Sequence, residues 1–339
     1  MESAQVELAP VGGIETLLRE QLLDRRERLR GAESRFDYDP DFSRLLHEVD
    51  TALARIEKGS YGICDVCHEP IEAERLIADP LIRLCLGDMT QKQLNLLEED
   101  LRLAADIQKG LLPKPEFSSE FWEVDFAYQP AGAVSGDYVD LVKLDGELFF
   151  ILGDVSGKGL AASILMSNLH AMFRALIPLG LPLSDLMARA NHLFCESTLA
   201  NQYATLICGR INESGEVEFC NAGHLAPVIL GAEGFTSLES AGLPLGMFCD
   251  SNFVSSGVKL TSGETLLLFT DGATEALDDN GDEFGIQRLM QTMLQNCGNS
   301  PSELLTNCIG AVSAFRNGSS RNDDLSMLAL KYRGEPRTE

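Results

Sequence analysis

Along residues 14–58 the hydrophobic positions recur every three or four places, the spacing of one helix face. Ile14, Leu17, Leu18, Leu22 and Leu29 form one stripe, and Phe42, Leu45, Leu46, Val49, Leu53 and Ile56 form a second. Phe36-Asp37-Tyr38-Asp39-Pro40-Asp41 interrupts the pattern, and Lys58-Gly59 closes the second stripe with a helix stop signal. The expectation is a short helical hairpin. A third helical stretch covers 90–112, where Leu94, Leu97, Leu101 and Ala104 stand three and four apart, with Ile107 and Leu111 roughly continuing the face. Pro113 and Pro115 end it. Such a stripe suits a helix packed on its own domain or a parallel dimer helix.

Beyond Pro115 the period shortens. Strands are expected at 122–128, 138–144 and 148–152, with Asp145-Gly146 as a hairpin turn between the last two. Helices follow at 159–176 and 183–199, then strands at 204–211, 217–221, 228–230, 253–260 and 265–270. Helices at 284–296 and 302–314 precede a last strand at 325–330. Many strands in mostly non-alternating order with a few long helices predict an α+β fold with a large sheet system.

Composition narrows the function classes. The 339 residues are 45% hydrophobic and 23% charged, the profile of a globular chain of about two domains. This excludes a mainly disordered chain, a collagen-like repeat and a disulfide-rich miniprotein. With 52 acidic against 27 basic residues the formal charge is −25, which repels phosphate backbones and anionic membranes and favours divalent cations. Neither nucleic acid nor membrane is therefore expected as a partner. The N-terminus lacks the basic start and apolar core of a signal peptide. The longest uncharged stretch, near 159–173, is interrupted by Ser163, Ser167, Asn168 and His170 and falls short of the roughly 18 apolar residues of a membrane span. Of nine cysteines, Cys64, Cys67 and Cys85 cluster, and the other six lie singly at 195, 208, 220, 249, 297 and 308. That scatter predicts reduced thiols and a cytoplasmic location.

Cys64-x-x-Cys67 is followed, after seventeen residues, by Cys85-x-x-Asp88. Two close pairs at this separation are what a tetrahedral zinc needs, with Asp88 where a fourth thiolate would stand and His68 near enough to compete for that place. The run from about 46 to 90, with EKGSYGICDVCHEPI and RLIADPLIRLCLGD, resembles the DksA/TraR zinc-finger family. That resemblance implies a helical hairpin before the finger and RNA polymerase as a partner of its members. Asp37, Asp39 and Asp41 in the bend are reminiscent of the acidic tips of channel-binding proteins, and equally of any solvated loop.

The aspartates downstream carry more chemistry. Asp137 lies in SGDYVD before a strand, Asp154 in GDVSGKG at the end of an apolar run, Asp271 in TDG after another, and Asp323-Asp324 in NDDLS before the last strand. Carboxylates on rigid strand ends can converge on one point, as oxygen ligands of a hard cation do. GDVSGKG lacks the spacing of a Walker loop, and its glycines suit close approach of backbone carbonyls to a metal. The turn Asp278-Asp279-Asn280-Gly281-Asp282 lacks the distal glutamate of an EF-hand and is expected to be a solvated Asn-Gly turn.

In order, AADIQKGLLP, SGDYVD, GDVSGKG, NAGH (221–224), GLPLG (242–246), TDGATEA, DEFG and NDDLS resemble the bacterial SpoIIE/RsbU branch of the metal-dependent PPM serine/threonine phosphatases, over about residues 101–332. The resemblance implies a PPM-type αββα sandwich of two antiparallel sheets, and hydrolysis of phosphoserine or phosphothreonine with two Mn²⁺ or Mg²⁺ ions. It implies that Asp154 bridges both metals, the carbonyl of Val155 joins one, and Asp271 and Asp323 bind the second. Asp137 would hold the first metal's water, and Asp324 would orient its neighbour. The histidine that follows the bridging aspartate in eukaryotic relatives is replaced here by Val155-Ser156, which leaves the leaving-group acid unassigned. His224 qualifies by type only, and a structural role in the NAGH turn is the alternative.

The expected layout is a helical hairpin and finger module over 1–89, a linker or dimerisation helix over 90–114, a phosphatase domain over 115–333 and a tail over 334–339. The expected function is dephosphorylation of a bacterial regulatory protein, by the resemblance a STAS-type anti-sigma-factor antagonist, controlled by the N-terminal module in a homodimer formed through 90–112. The alternatives are a silent scaffold or a polymerase-binding regulator. One zinc is expected at Cys64, Cys67, Cys85 and Asp88.

Overall fold

The computed structural model describes residues 12–33, 40–88, 91–114, 117–198, 202–238, 242–318, 321 and 323–334. The chain divides into two compact units, Met1–Asp100 and Leu101–Glu339.

In the first unit α1 (Gly12–Glu33) and α2 (Pro40–Glu57) form the expected hairpin. Leu22, Val49, Ala52 and Leu53 meet in one small core, and Leu18 joins Cys64, Ile71, Leu76 and Cys85 in a second. Leu18 and Leu22, one turn apart on α1, thus serve separate cores, and the Leu18 core takes in Cys64 and Cys85. Helix α3 (Ala73–Ala78) was not expected, because six residues are too few to display a helical period. Asp37 and Asp39 of the acidic bend lie outside the described residues, and Asp41 falls within α2. Helix α4 (Gln91–Leu111) runs across the division between the units.

The second unit holds two five-stranded antiparallel sheets. One contains β1 (Trp122–Gln129), β6 (Val228–Gly231), β7 (Gly234–Ser237), β9 (Thr265–Phe269) and β10 (Leu325–Tyr332), in the order β1-β10-β9-β6-β7. The other contains β2 (Asp137–Leu144), β3 (Glu147–Val155), β4 (Ala204–Ile211), β5 (Glu216–Ala222) and β8 (Ser255–Lys259), in the order β2-β3-β4-β5-β8. Asp145 and Gly146 both have positive φ, 51° and 85°, which makes the β2–β3 connection the tight hairpin turn the sequence signals.

Alternation along the strands separates three cores. Leu266 and Leu268 of β9, Leu328 and Leu330 of β10, Val139 and Leu141 of β2 and Phe150 and Leu152 of β3 fill the space between the sheets. Their neighbours point the other way. Tyr138, Phe149 and Ile151 pack under α5 (Gly159–Leu176) and α6 (Leu183–Ser197). Leu267, Phe269, Met327 and Ala329 pack under α7 (Gly285–Gln295) and α8 (Pro301–Arg316). Strands buried on both faces account for the near-continuous apolar runs in the sequence. The result is the predicted four-layer αββα sandwich of two antiparallel sheets.

Residues 159–179 are long and apolar enough to cross a membrane by composition, with mean hydropathy 1.4, so the expected shortfall there is corrected. Ala162, Leu165, Met166, Leu169 and Phe173 of this segment are nevertheless buried against the sheet. A charged brace fixes α5 further along. Arg174 donates two hydrogen bonds to the buried Asp140 carboxylate, at 2.8 and 2.6 Å, and the Tyr138 hydroxyl donates a third at 3.1 Å. Strand β7 went unexpected because its four residues, Gly234–Ser237, sit at a sheet edge with little burial to impose a pattern.

Candidate metal centres

The first centre is built by a tight turn. His68 N–H donates to Cys64 O at 3.1 Å and Cys64 N–H to Glu69 O at 2.9 Å, with His68 at a φ of 62°. This presents Cys64 and Cys67 to Cys85 and Asp88. The four ligand atoms all lie within 4.8 Å of one another. Cys67 Sγ and Cys85 Sγ are 3.6 Å apart, and Asp88 Oδ2 lies 3.2 Å from the Sγ atoms of Cys64 and Cys85. A tetrahedron with bonds of ~2.3 Å has edges of about 3.8 Å, so this spacing fits zinc. His68 is exposed and outside the cluster; Asp88 fills the fourth place. Burial opposes ionisation of Cys64, yet N–H groups of Cys67, Cys85 and Val66 outweigh it and lower its pKa. The Asp88 carboxylate pushes Cys67 up to about 12 and raises Cys85, while the thiols hold Asp88 below its ordinary value. Four ligands contending for negative charge is the electrostatic signature of a place that takes a cation.

The second centre draws on both sheets. Asp137 opens β2 and stands directly opposite Asp154 of β3 in the antiparallel register. In the other sheet, Asp271 begins a 3-10 turn just past β9, and Asp323 and Asp324 immediately precede β10. Thr270 N–H donates to Ser326 O at 3.0 Å, which carries the β9–β10 ladder one step further and brings Asp271 and Gly272 alongside Leu325 and Asp324. Gly272 permits that approach, since a Cβ there would stand 1.9 Å from the Asp324 carbonyl oxygen. Gly136 does the same on the first sheet, where a Cβ would stand 3.1 Å from Val155 O and 3.5 Å from Asp154 Oδ1.

Hydrogen bonds fix each carboxylate. The Thr270 hydroxyl donates to Asp137 Oδ2 at 3.0 Å and accepts from Ser326 N–H at 2.9 Å. Asp324 accepts from Ala131 N–H at 2.7 Å and Gly136 N–H at 2.9 Å, one bond at each oxygen. Asp323 pairs with Lys158 at 2.9 Å and accepts from Asp324 N–H at 3.0 Å.

The electrostatics are those of crowded anions. Burial and then the charges of Asp271, Asp323 and Asp324 push Asp154 up to about 7. Burial and the charge of Asp154 hold Asp137, only 1% exposed, well above the carboxylate range. Burial and Asp323 raise Asp271, and burial and Asp271 raise Glu275. These carboxylates cannot all ionise together without added positive charge, and their all-oxygen donor set suits a hard divalent ion. Among the described residues, only the thiolate cluster has three or more ligand atoms all within 4.8 Å of one another, so the aspartates form a wider ring.

All five predicted carboxylates are brought together, with the Val155 carbonyl beside Gly136 at their edge. Sequence reasoning missed Ser135, Thr270, Ser326, Lys158 and Glu275, which support or border the ring. Thr270 and Glu275 lie inside the quoted TDGATEA motif, so adjacency to a strand-end aspartate was the available signal. His224 is locked in its own turn, its N–H donating to Asn221 Oδ1 at 2.7 Å and its Nδ1 paired with Thr205 Oγ1 at 2.9 Å. Burial drops its pKa to about 4, which leaves it neutral near pH 7. The Asp278–Asp282 turn is closed by its own bonds, Asn280 and Asp282 N–H both donating to Asp278 Oδ1 at 2.9 Å.

Comparison with known proteins places both centres in context. The profile described as stage II sporulation protein E (SpoIIE) matches residues 144–333, and that of the prokaryotic dksA/traR C4-type zinc finger matches 59–87. Protein IcfG of Synechocystis is 29% identical over 280 residues, covering 74% of this chain and 44% of IcfG. Phosphoserine phosphatase RsbU of Bacillus subtilis is 24% identical over 240 residues, 69% of this chain and 70% of RsbU. The solved SiaA-PP2C domain of Pseudomonas aeruginosa superimposes with a TM-score of 0.64 at 17% identity, covering 72% of this chain and 99% of that domain. The chain thus spans under half of one curated relative and about two-thirds of the other.

Proposed function

Because the chain belongs to the SpoIIE family, we propose that it is a metal-dependent phosphoprotein phosphatase acting on phosphoserine or phosphothreonine of a bacterial regulatory protein, with a STAS-type anti-sigma-factor antagonist as the substrate class. The observation that carries this reading is the convergence of Asp137, Asp154, Asp271, Asp323 and Asp324 from both sheets, with Asp137, Asp154 and Asp271 raised by burial and neighbouring carboxylate charge.

The residues fit a pair of Mn²⁺ or Mg²⁺ ions. Asp154, facing Asp137 across the β2–β3 ladder and feeling the charges of Asp271 and Asp323, would be the carboxylate placed to serve both ions. The Val155 carbonyl would join in holding one, Asp271 and Asp323 would hold the second, and Asp137 would steady water at the first. Asp324 braces the 131–136 loop by accepting N–H bonds from Ala131 and Gly136. Such ions lower the pKa of a shared water towards neutrality and offset phosphoryl charge. The chain's own part is to fix those carboxylates on strand ends, so that little reorganisation is needed when substrate arrives. Lys158 adds positive charge beside Asp323.

Zinc at Cys64, Cys67, Cys85 and Asp88 holds the finger. The N-terminal module over 1–89 controls the phosphatase domain over 115–333 through the linker at 90–114. On α4, Leu103 follows Leu96 by seven residues and Ile107 follows by four more, and all three are more than half exposed. A second copy of the chain covers this seam in a homodimer. The expected leucine face differs, since Leu94, Leu97 and Leu101 are half-buried. Nine thiols without a disulfide suit the cytoplasm.

The test is hydrolysis of a phosphoserine peptide by the purified full chain. Turnover that needs Mn²⁺ or Mg²⁺ and is lost in Asp154→Ala and Asp271→Ala supports the assignment. Full turnover after chelation, or in both variants, contradicts it.

A further inference from the structure

Helix α4 is amphipathic in an unusual sense: of its described side chains, the buried one is polar. Gln108 is 5% exposed, whereas its neighbour Ile107 is 60% exposed. Its carboxamide makes two hydrogen bonds to one residue. Nε2 donates to Ser135 O at 2.7 Å, and Ser135 N–H donates to Oε1 at 2.9 Å. Ser135 is itself fully buried, so both of its backbone groups depend on this side chain.

Ser135 begins the stretch that builds the aspartate ring. Its hydroxyl accepts from Asp137 N–H at 3.0 Å, and the next residue, Gly136, donates to Asp324 Oδ2 at 2.9 Å. Gly136 O in turn accepts from Val155 N–H at 3.3 Å, which places the Val155 peptide. One carboxamide on α4 therefore sets the backbone from which Asp137, Asp324 and Val155 all take their positions. We propose that Gln108 is a positioning residue that ties the rotational setting of α4 to the geometry of the aspartate ring, an inference that rests on the metal-dependent reading of that ring. Turning the helix by a fraction of a residue withdraws the carboxamide and strands two buried backbone groups, so the loop follows the helix. Covering the exposed Leu96–Leu103–Ile107 seam selects one rotational setting of α4, and the ring is ordered with it.

Mn²⁺ binding to the full chain by titration calorimetry tests this without relying on turnover. Gln108→Met keeps the length and volume of the side chain and loses both hydrogen bonds. The Mn²⁺ dissociation constant rises about tenfold or more, the range expected for loss of a group that orients metal ligands. At saturating Mn²⁺ the KM for the phosphoserine peptide stays unchanged. Gln108→Glu keeps the acceptor for Ser135 N–H, so its constant rises less; should Gln108→Met not fold, this variant carries the test. A binding constant within twofold of wild type in a folded variant overturns the proposal, even if its melting temperature falls, because that is a merely structural role. Leu103→Glu, placed on the seam, weakens Mn²⁺ binding in the parent chain and has no further effect in the Gln108→Met background. Additive effects, or no effect of Leu103→Glu in either background, overturn the coupling to α4. Wild-type protein that binds no Mn²⁺ sinks the phosphatase reading itself, whereas tight binding that is indifferent to Gln108 sinks only the clamp.

Discussion

The two metal centres solve the same problem with opposite resources. The thiolate centre gathers four ligands from 25 residues of chain, Cys64 to Asp88, held by one turn and a small core. The aspartate ring gathers its ligands from 188 positions, Asp137 to Asp324, and holds them with ten strands. A small unit has little core to hold ligands apart, so a soft cation that binds them tightly has to supply part of its folding energy. A sandwich with three hydrophobic cores can instead hold anions together against burial and then mutual repulsion, the two causes that raise Asp137 and Asp154. On the proposed reading, a metal builds the first site. The fold builds the second.

Breaking the ring gives the largest effect. Asp154→Ala lowers phosphoserine hydrolysis by at least ~10³-fold, by the logic that removes a ligand shared between two ions, while zinc content by elemental analysis is unchanged. Breaking the finger has the reverse signature. Cys64→Ala releases zinc and loosens the first unit, seen as lost amide protection in α1 and α2, while turnover of a small phosphomonoester with Mn²⁺ persists. Activity lost with the zinc would mean that the second unit is not self-sufficient.

Smaller changes sharpen the contrast. Arg174→Leu leaves the fully buried Asp140 carboxylate without its ion pair and costs about 3 kcal/mol by denaturant titration. Thr270→Val removes the donor to Asp137 and the acceptor for Ser326 N–H, costs about 1–2 kcal/mol, and weakens Mn²⁺ binding. Proton linkage gives the mildest test. Asp154 has its folded-state pKa raised to about 7 from 3.8, so the folded protein binds more protons than the unfolded one between these values. Its stability without metal therefore falls as pH rises from about 4 to 7. Added Mn²⁺ raises the melting temperature more at pH 8 than at pH 5.5, because at the lower pH it must displace a proton from Asp154.

The same contrast explains what the sequence disclosed. Cys64, Cys67 and Cys85 are legible from spacing, with Asp88 and His68 competing for the fourth place, because a centre closed by local turns writes its geometry into the chain. The strands of the sandwich were legible because burial on both faces leaves unbroken apolar runs, as in Leu266–Leu267–Leu268. Each ring aspartate alone looked like a turn residue, and only the ordered set of motifs and their resemblance joined them. Thr270, Ser135 and Gln108 stand inside the quoted motifs, but their roles are not legible there, since a hydroxyl or carboxamide that braces a distant carboxylate or loop has no periodicity and no fixed offset from its partner. Helix α3 and strand β7 were too short to show a pattern.

The most direct measurement of the central claim is anomalous diffraction at the manganese edge from crystals of the full chain soaked in Mn²⁺. Two peaks within coordination distance of Asp154, one shared with Asp271 and Asp323 and the other on the Asp137 side, are the predicted result. Absence of manganese between these carboxylates, in protein that hydrolyses phosphoserine, would contradict it.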